Sequence, residues 1–156
     1  MLDHISALRG RVLNLHRVLA HNPDALRSFM IMSRHVRDDS RLAPKLREVA
    51  IVTIAKVLGN SYELGHHVPI ARSLGVTDAQ LHALPDWTRS DLFNPHESTV
   101  VRYAAEMTTG HHASDETMAL AVELLSAAEA VDLALTVGWY HLCHVLIDSF
   151  GIELEA

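Results

Sequence analysis

Asn60, Glu63 and His67 stand three and four residues apart, the steps that bring side chains onto one face of an α-helix. A carboxylate one turn from an imidazole can orient the ring and select its tautomer, which equips His67 to give or take a proton beside Glu63. Val68, Ile70 and Ala71 follow directly, so the pair is expected against an apolar wall that excludes water. Glu48 lies near the start of the preceding apolar segment, and an antiparallel return is expected to bring it near the start of the next helix. Proton transfer is the chemistry this trio suits. Glu48, Glu63 and His67 are therefore the candidate catalytic residues, with Asn60, Tyr62 and His141 as candidate substrate-binding residues. His66 points about 100° away from His67 around a helix and reads as a surface or interface residue.

A second polar group lies in Tyr140-His141-Leu142-Cys143-His144. Counting from Glu129 by the intervals that separate Glu48, Asn60, Glu63 and His67 lands on His141, His144 and Asp148. An ancestral repeat would produce this echo and turn both polar faces toward a shared cleft; chance would produce it too. If the faces meet, Glu63, His67, His141 and His144 form a mononuclear site suited to zinc or iron, with Glu48 and Glu129 able to add oxygen ligands. Otherwise His141 and His144 are core or interface histidines bonded to neighbours, or act in catalysis without metal. The single cysteine, Cys143, excludes an internal disulfide and a CxxC redox pair, and reads as a small buried residue.

The elements that must carry these groups are helical. Asn22-Pro23 sets a cap residue before a proline at the first helical position. Thr77 with Gln80, Asn94 with Glu97 and Ser126 with Glu129 are helix-start signatures, and Gly59, Gly75, Gly110 and Gly151 fall where helices stop. Helices are expected near 3–20, 23–38, 44–58, 61–75, 78–84, 95–109, 115–125 and 127–150, with no alternating strand. Residues 85–94 are the most loop-like. Segment 49–58 is apolar nearly all round and must be a core helix. Segment 130–150 is too apolar for one small subunit to bury, so it is expected to help build a subunit interface. Trp87, Phe93 and Trp139 either cap a pocket or fill the core. Arg34, Arg37, Arg41, Lys45 and Arg47, offset by Asp38, Asp39 and Glu48, read as a solvated helix junction or as a patch steering an anionic substrate.

Composition sets outer bounds. The 156 residues carry 13 Lys and Arg against 19 Asp and Glu, a net charge of −6 that argues against nucleic acid as a partner. Protonation of all 12 histidines would bring the charge to +6, so solubility should vary with pH near the imidazole range. The uncharged run from Leu133 to Ile147 falls short of the roughly 20 residues a membrane span needs, and residues 1–10 lack the apolar core of a signal peptide. A soluble, cytoplasmic protein of one domain over 1–156 is expected, with N-terminal helices over 1–40 and a core over 41–156.

The run E-x11-N-x2-E-x3-H (Glu48, Asn60, Glu63, His67) resembles the frame of the carboxymuconolactone decarboxylase and alkylhydroperoxidase D superfamily. In its redox branch that frame reads E-x11-C-x2-C-x3-H. The chain is similar to the branch that lacks the paired cysteines and carries a YE-x-x-x-H run, here Tyr62-Glu63 to His67. Arg47-Glu48, HVPIARSLGV after the histidine, the Leu125-Ser126 to Glu129 helix start and the ending FGIELE extend the likeness over roughly residues 40–155. The resemblance implies an all-α fold of the alkylhydroperoxidase D type and a homo-trimer or homo-hexamer with active sites near subunit contacts. Asn60 and Glu63 replace the redox cysteines, so it implies no thiol peroxidase chemistry. The family often carries tyrosine, asparagine and arginine on the last long helix, and this chain lacks that arginine. Three readings follow: a cofactor-free acid/base lyase or isomerase acting on a small oxygenated organic acid or lactone; a zinc or iron enzyme; and a non-catalytic helical assembly protein.

Overall fold

A computed structural model describes residues 2–86, 88 and 90–155. Nine α-helices, joined by a π turn at His35–Asp39 and a short 3-10 turn at Ser90–Leu92, make up the described residues, and no strand occurs among them. The helices are α1 Leu2–Arg9, α2 Asn14–Leu19, α3 Pro23–Arg34, α4 Pro44–Val57, α5 Ser61–Ser73, α6 Asp78–Ala83, α7 Pro95–Gly110, α8 Asp115–Leu124 and α9 Ala127–Ser149. Trp87 lies outside the described residues; Phe93 is core filling, and Trp139 joins the core and lines a cavity.

The expected signals start these helices. Asn22 accepts from the Ala25 amide at 3.2 Å, and Asn60 from the Glu63 amide at 3.0 Å. Thr77–Gln80, Asn94–Glu97 and Ser126–Glu129 form reciprocal capping boxes. Two predicted helices are interrupted. The span 3–20 breaks between α1 and α2, where Gly10 takes φ 75°, a left-handed conformation open to glycine at low cost. The span 23–38 passes from α into π geometry at His35. Gly110 does not end α7 by its own conformation; His111 takes the left-handed position with φ 54°.

The core helix is α4. Every residue from Val49 to Ala55 is buried, because α5, α7 and α9 pack around it. The buried Glu97 carboxylate ties three helices by accepting from Lys45 Nζ on α4 at 2.7 Å and from Gln80 Nε2 on α6 at 3.0 Å. Residues 152–155 fold back over α5. Gly65 permits this approach, since a Cβ there would lie 2.8 Å from Leu154 Cδ2. Glu155 fastens the tail by accepting from Tyr62 Oη at 2.9 Å and from the Asn14 amide at 2.5 Å.

Candidate active site

The antiparallel α4–α5 pair brings Glu48, Glu63 and His67 together, all buried. Glu48 meets the middle of α5 at His67, not its start, since an antiparallel return sets the beginning of one helix away from the beginning of the next. His67 Nδ1 lies 2.7 Å from Glu48 Oε2, while Nε2 lies 3.4 Å from Glu63 Oε2 and 3.1 Å from Tyr140 Oη. The short Nδ1 contact assigns that nitrogen as donor to Glu48, leaving Nε2 to face Glu63 and Tyr140. Tyr140 also stands edge-on to the imidazole, with centroids 5.0 Å apart. Arg47 Nε sits 3.7 Å from Glu48 Oε1.

A cavity of about 120 Å³ opens beside this relay. Its apolar wall includes Phe29, Ile70 and Trp139, and its polar groups include Glu63, His67 and Tyr140. Burial drives the Glu63 carboxyl above its ordinary range, over the opposing pull of His67 and Arg37. Burial likewise pushes the Tyr140 hydroxyl and the Cys143 thiol well up, and the Glu63 charge adds to both shifts. Cys143 is buried, as expected, and lines the cavity as a neutral thiol.

The other predicted residues have different places. Asn60 is the N-cap of α5, and its Nδ2 lies 3.1 Å from His144 Nδ1. Neither residue lines the cavity. Tyr62 does line it, with its hydroxyl committed to Glu155. His141 Nε2 lies 3.0 Å from Thr108 Oγ1 on α7. The quartet Glu63, His67, His141 and His144 therefore does not converge, and no group of three or more His, Cys, Asp or Glu among the described residues is placed to hold a metal ion. The cause is connectivity. Glu48 and Asn60 stand on successive elements, whereas Glu129, His141, His144 and Asp148 all lie on α9, so the sequence echo has no counterpart in space. Glu129 is spent on capping.

Sequence reasoning missed the wall built by the N-terminal segments. Arg11, His16, Ser33 and Arg37 all line the cavity. His66 lines it too: its ring stands between Arg11, 2.9 Å from Nδ1, and Glu155, 2.9 Å from Nε2. Burial lowers the His66 pKa despite Glu155. The solvated-junction reading fails for Arg37, which turns inward.

The model of the carboxymuconolactone decarboxylase family matches residues 23–106, more than half of the chain. The chain belongs to this family. The match spans Glu48, Asn60, Glu63 and His67, and also Ser33 and Arg37. No curated protein matches the chain. Solved structures show the alkylhydroperoxidase-like fold of this decarboxylase-family chain at low identity. An AhpD-like protein from Agrobacterium tumefaciens is 15% identical with a TM-score of 0.80, over 89% of this chain and 96% of that one. The apo debrominase Bmp8 is 18% identical with a TM-score of 0.81, over 97% and 82%. A peroxidase-related protein with an AhpD core from Ralstonia eutropha JMP134 is 18% identical, also with a TM-score of 0.81, over 99% and 83%.

Proposed function

We propose that the chain is an acid/base lyase or isomerase acting on a small oxygenated organic acid or lactone, without thiol peroxidase activity. The observation that carries this reading is the buried relay Glu48–His67–Glu63 on the wall of a small cavity lined by both polar and apolar side chains. In a decarboxylation the C–C bond to the carboxylate breaks, CO2 leaves, and the electron pair delocalises as an enolate that must be protonated at carbon. Glu63, held protonated by burial, gives that proton to carbon and is left as the carboxylate, while Glu48 holds the His67 ring in the tautomer that keeps Nε2 toward Glu63. Tyr140 Oη, kept protonated by burial, donates a hydrogen bond to developing negative charge. An isomerisation uses the same groups to take a proton and return it. Among the described residues His141 and His144 stand apart from Glu63 and His67, which supports the metal-free reading, and an open cavity beside the relay favours catalysis over a purely structural assembly. A homo-oligomer in the cytoplasm remains part of the proposal.

Turnover of a panel of small unsaturated lactone acids, read as CO2 release and as loss of conjugation, tests the reading. His67→Gln is expected to lower kcat by about 10²–10⁴-fold with unchanged circular dichroism. Wild-type turnover in that variant would remove the relay from the mechanism.

A further inference from the structure

Ser33 lies in the last turn of α3, one turn before Arg37, and both side chains line the cavity. Among the described residues neither has a hydrogen-bond or ion-pair partner. Ser33 is only 7% exposed and lines the cavity. The Arg37 guanidinium is half-buried and lies within electrostatic reach of Glu63, Tyr140 and Cys143. Both donors face the cavity, and an arginine fork matches a carboxylate in shape and charge. The backbone is arranged to present these donors. Arg37 sits within the π turn, and such widened turns recur at functional sites. The turn is pinned from outside the cavity by Asp132 of α9, which lies 2.9 Å from His35 Nε2 and accepts from the Arg41 amide at 2.5 Å.

We propose that Arg37 and Ser33 are the carboxylate receptor of this cavity, and that its ligand is a compact monocarboxylate with an apolar or unsaturated body. This rests on reading the cavity as an acid-binding active site. The carboxylate takes the Arg37 fork and the Ser33 hydroxyl, and the body lies against Phe29 and Trp139. The reacting carbon is then directed toward Glu63. A cavity of about 120 Å³ suits a short acid.

Isothermal titration of the full chain with crotonate and with crotonamide, its uncharged isostere, tests the assignment. Wild type is expected to prefer crotonate by about tenfold to a hundredfold, the worth of a hydrogen bond to a charged group. Arg37→Gln is expected to bind the two alike, and Arg37→Lys to keep only part of the preference, because lysine lacks the planar fork. Ser33→Ala should weaken crotonate binding and leave crotonamide unchanged. No crotonate binding by wild type, no preference over the amide, or a preference that survives in Arg37→Gln overturns the proposal. Should Arg37→Gln fail to fold, undiminished preference in both Arg37→Lys and Ser33→Ala overturns it. None of these readouts needs turnover. A Glu63-dependent reaction in a chain whose crotonate preference ignores Arg37 leaves the lyase reading standing and sinks the receptor. An Arg37-dependent preference in a chain with no relay-dependent turnover does the reverse.

Discussion

Glu63 meets two opposed demands at a single carboxyl. Chemistry asks for a proton held close to the cavity; stability asks that no charge be buried there. Burial raises its pKa against the pull of His67 and Arg37, and the nearby Glu48 charge reinforces the rise. The folded chain therefore holds a proton at pH values where an unfolded glutamate has already lost it, and folding stability falls as pH climbs through that window. Below the ordinary carboxylate range both states are protonated and the effect vanishes. Glu63→Gln removes the titration. We expect the variant to be more stable than wild type at pH 7 by about 0.5–2 kcal/mol, the usual return from relaxing a strained functional group. The gap should close as pH falls into the ordinary carboxylate range. Urea unfolding of both proteins across pH 4–8 checks this, and a gap independent of pH would show that Glu63 is not held in its protonated form. The same variant should lose about 10²–10⁴-fold in kcat.

The π turn is the element on which substrate recognition depends in our reading, and Asp132 is its anchor. Burial pushes the Asp132 carboxyl up, but the Arg41 amide and His35 outweigh it, so the net shift is downward. A depressed carboxyl stabilises the fold at pH values above its unfolded pKa, and that contribution is lost as pH falls through the folded value. Asp132→Asn is expected to cost about 1–3 kcal/mol near neutrality, with the difference from wild type shrinking in acid. It should also speed amide exchange at Arg41 and reduce the crotonate preference while leaving crotonamide binding alone, an outcome that general destabilisation would not give. Helix starts and the Glu63–His67 face were legible because caps and the i, i+4 step are local, and local geometry repeats wherever the residues do. The sequence offered Arg37 only as one of five basic residues, in a solvated junction or an anion-steering patch, and did not single it out as a cavity residue. A π turn is one residue wider than an α turn and carries no sequence signature, so a charged run on a helix reads as solvated whichever way its members point. His66 was misread for a related reason: the tail residue Glu155 and the cavity mouth at Arg11 come from opposite ends of the chain.

For the whole molecule, the same long helix shows two characters. The buried side of α9 carries Asp132, which serves the π turn, and Tyr140 and Cys143, which line the cavity. By length and composition α9 could cross a membrane, with 44% of its apolar window buried in the fold. Its exposed side is a continuous apolar stripe: Val131, Leu135, Leu142 and Val145 are 60%, 37%, 45% and 57% exposed. With Gly138 between them, these positions advance in alternating steps of four and three residues, the spacing of a helix-packing seam. A Cβ on Gly138 would meet nothing within 4 Å, so another backbone can approach closely there. An apolar groove beside the stripe, lined by Phe29 and Met32 of α3, widens the face. A seam of this kind left in water is costly for a monomer, and a second copy of α9 matches its spacing, which supports the proposed homo-trimer or hexamer. Sedimentation velocity at micromolar concentration is expected to show a species larger than one chain. Leu142→Glu with Val145→Glu should shift it toward monomer without loss of helicity, since both side chains lie outside the core. A wild-type protein that sediments as a monomer would leave the stripe without a partner copy and remove the self-assembly proposal.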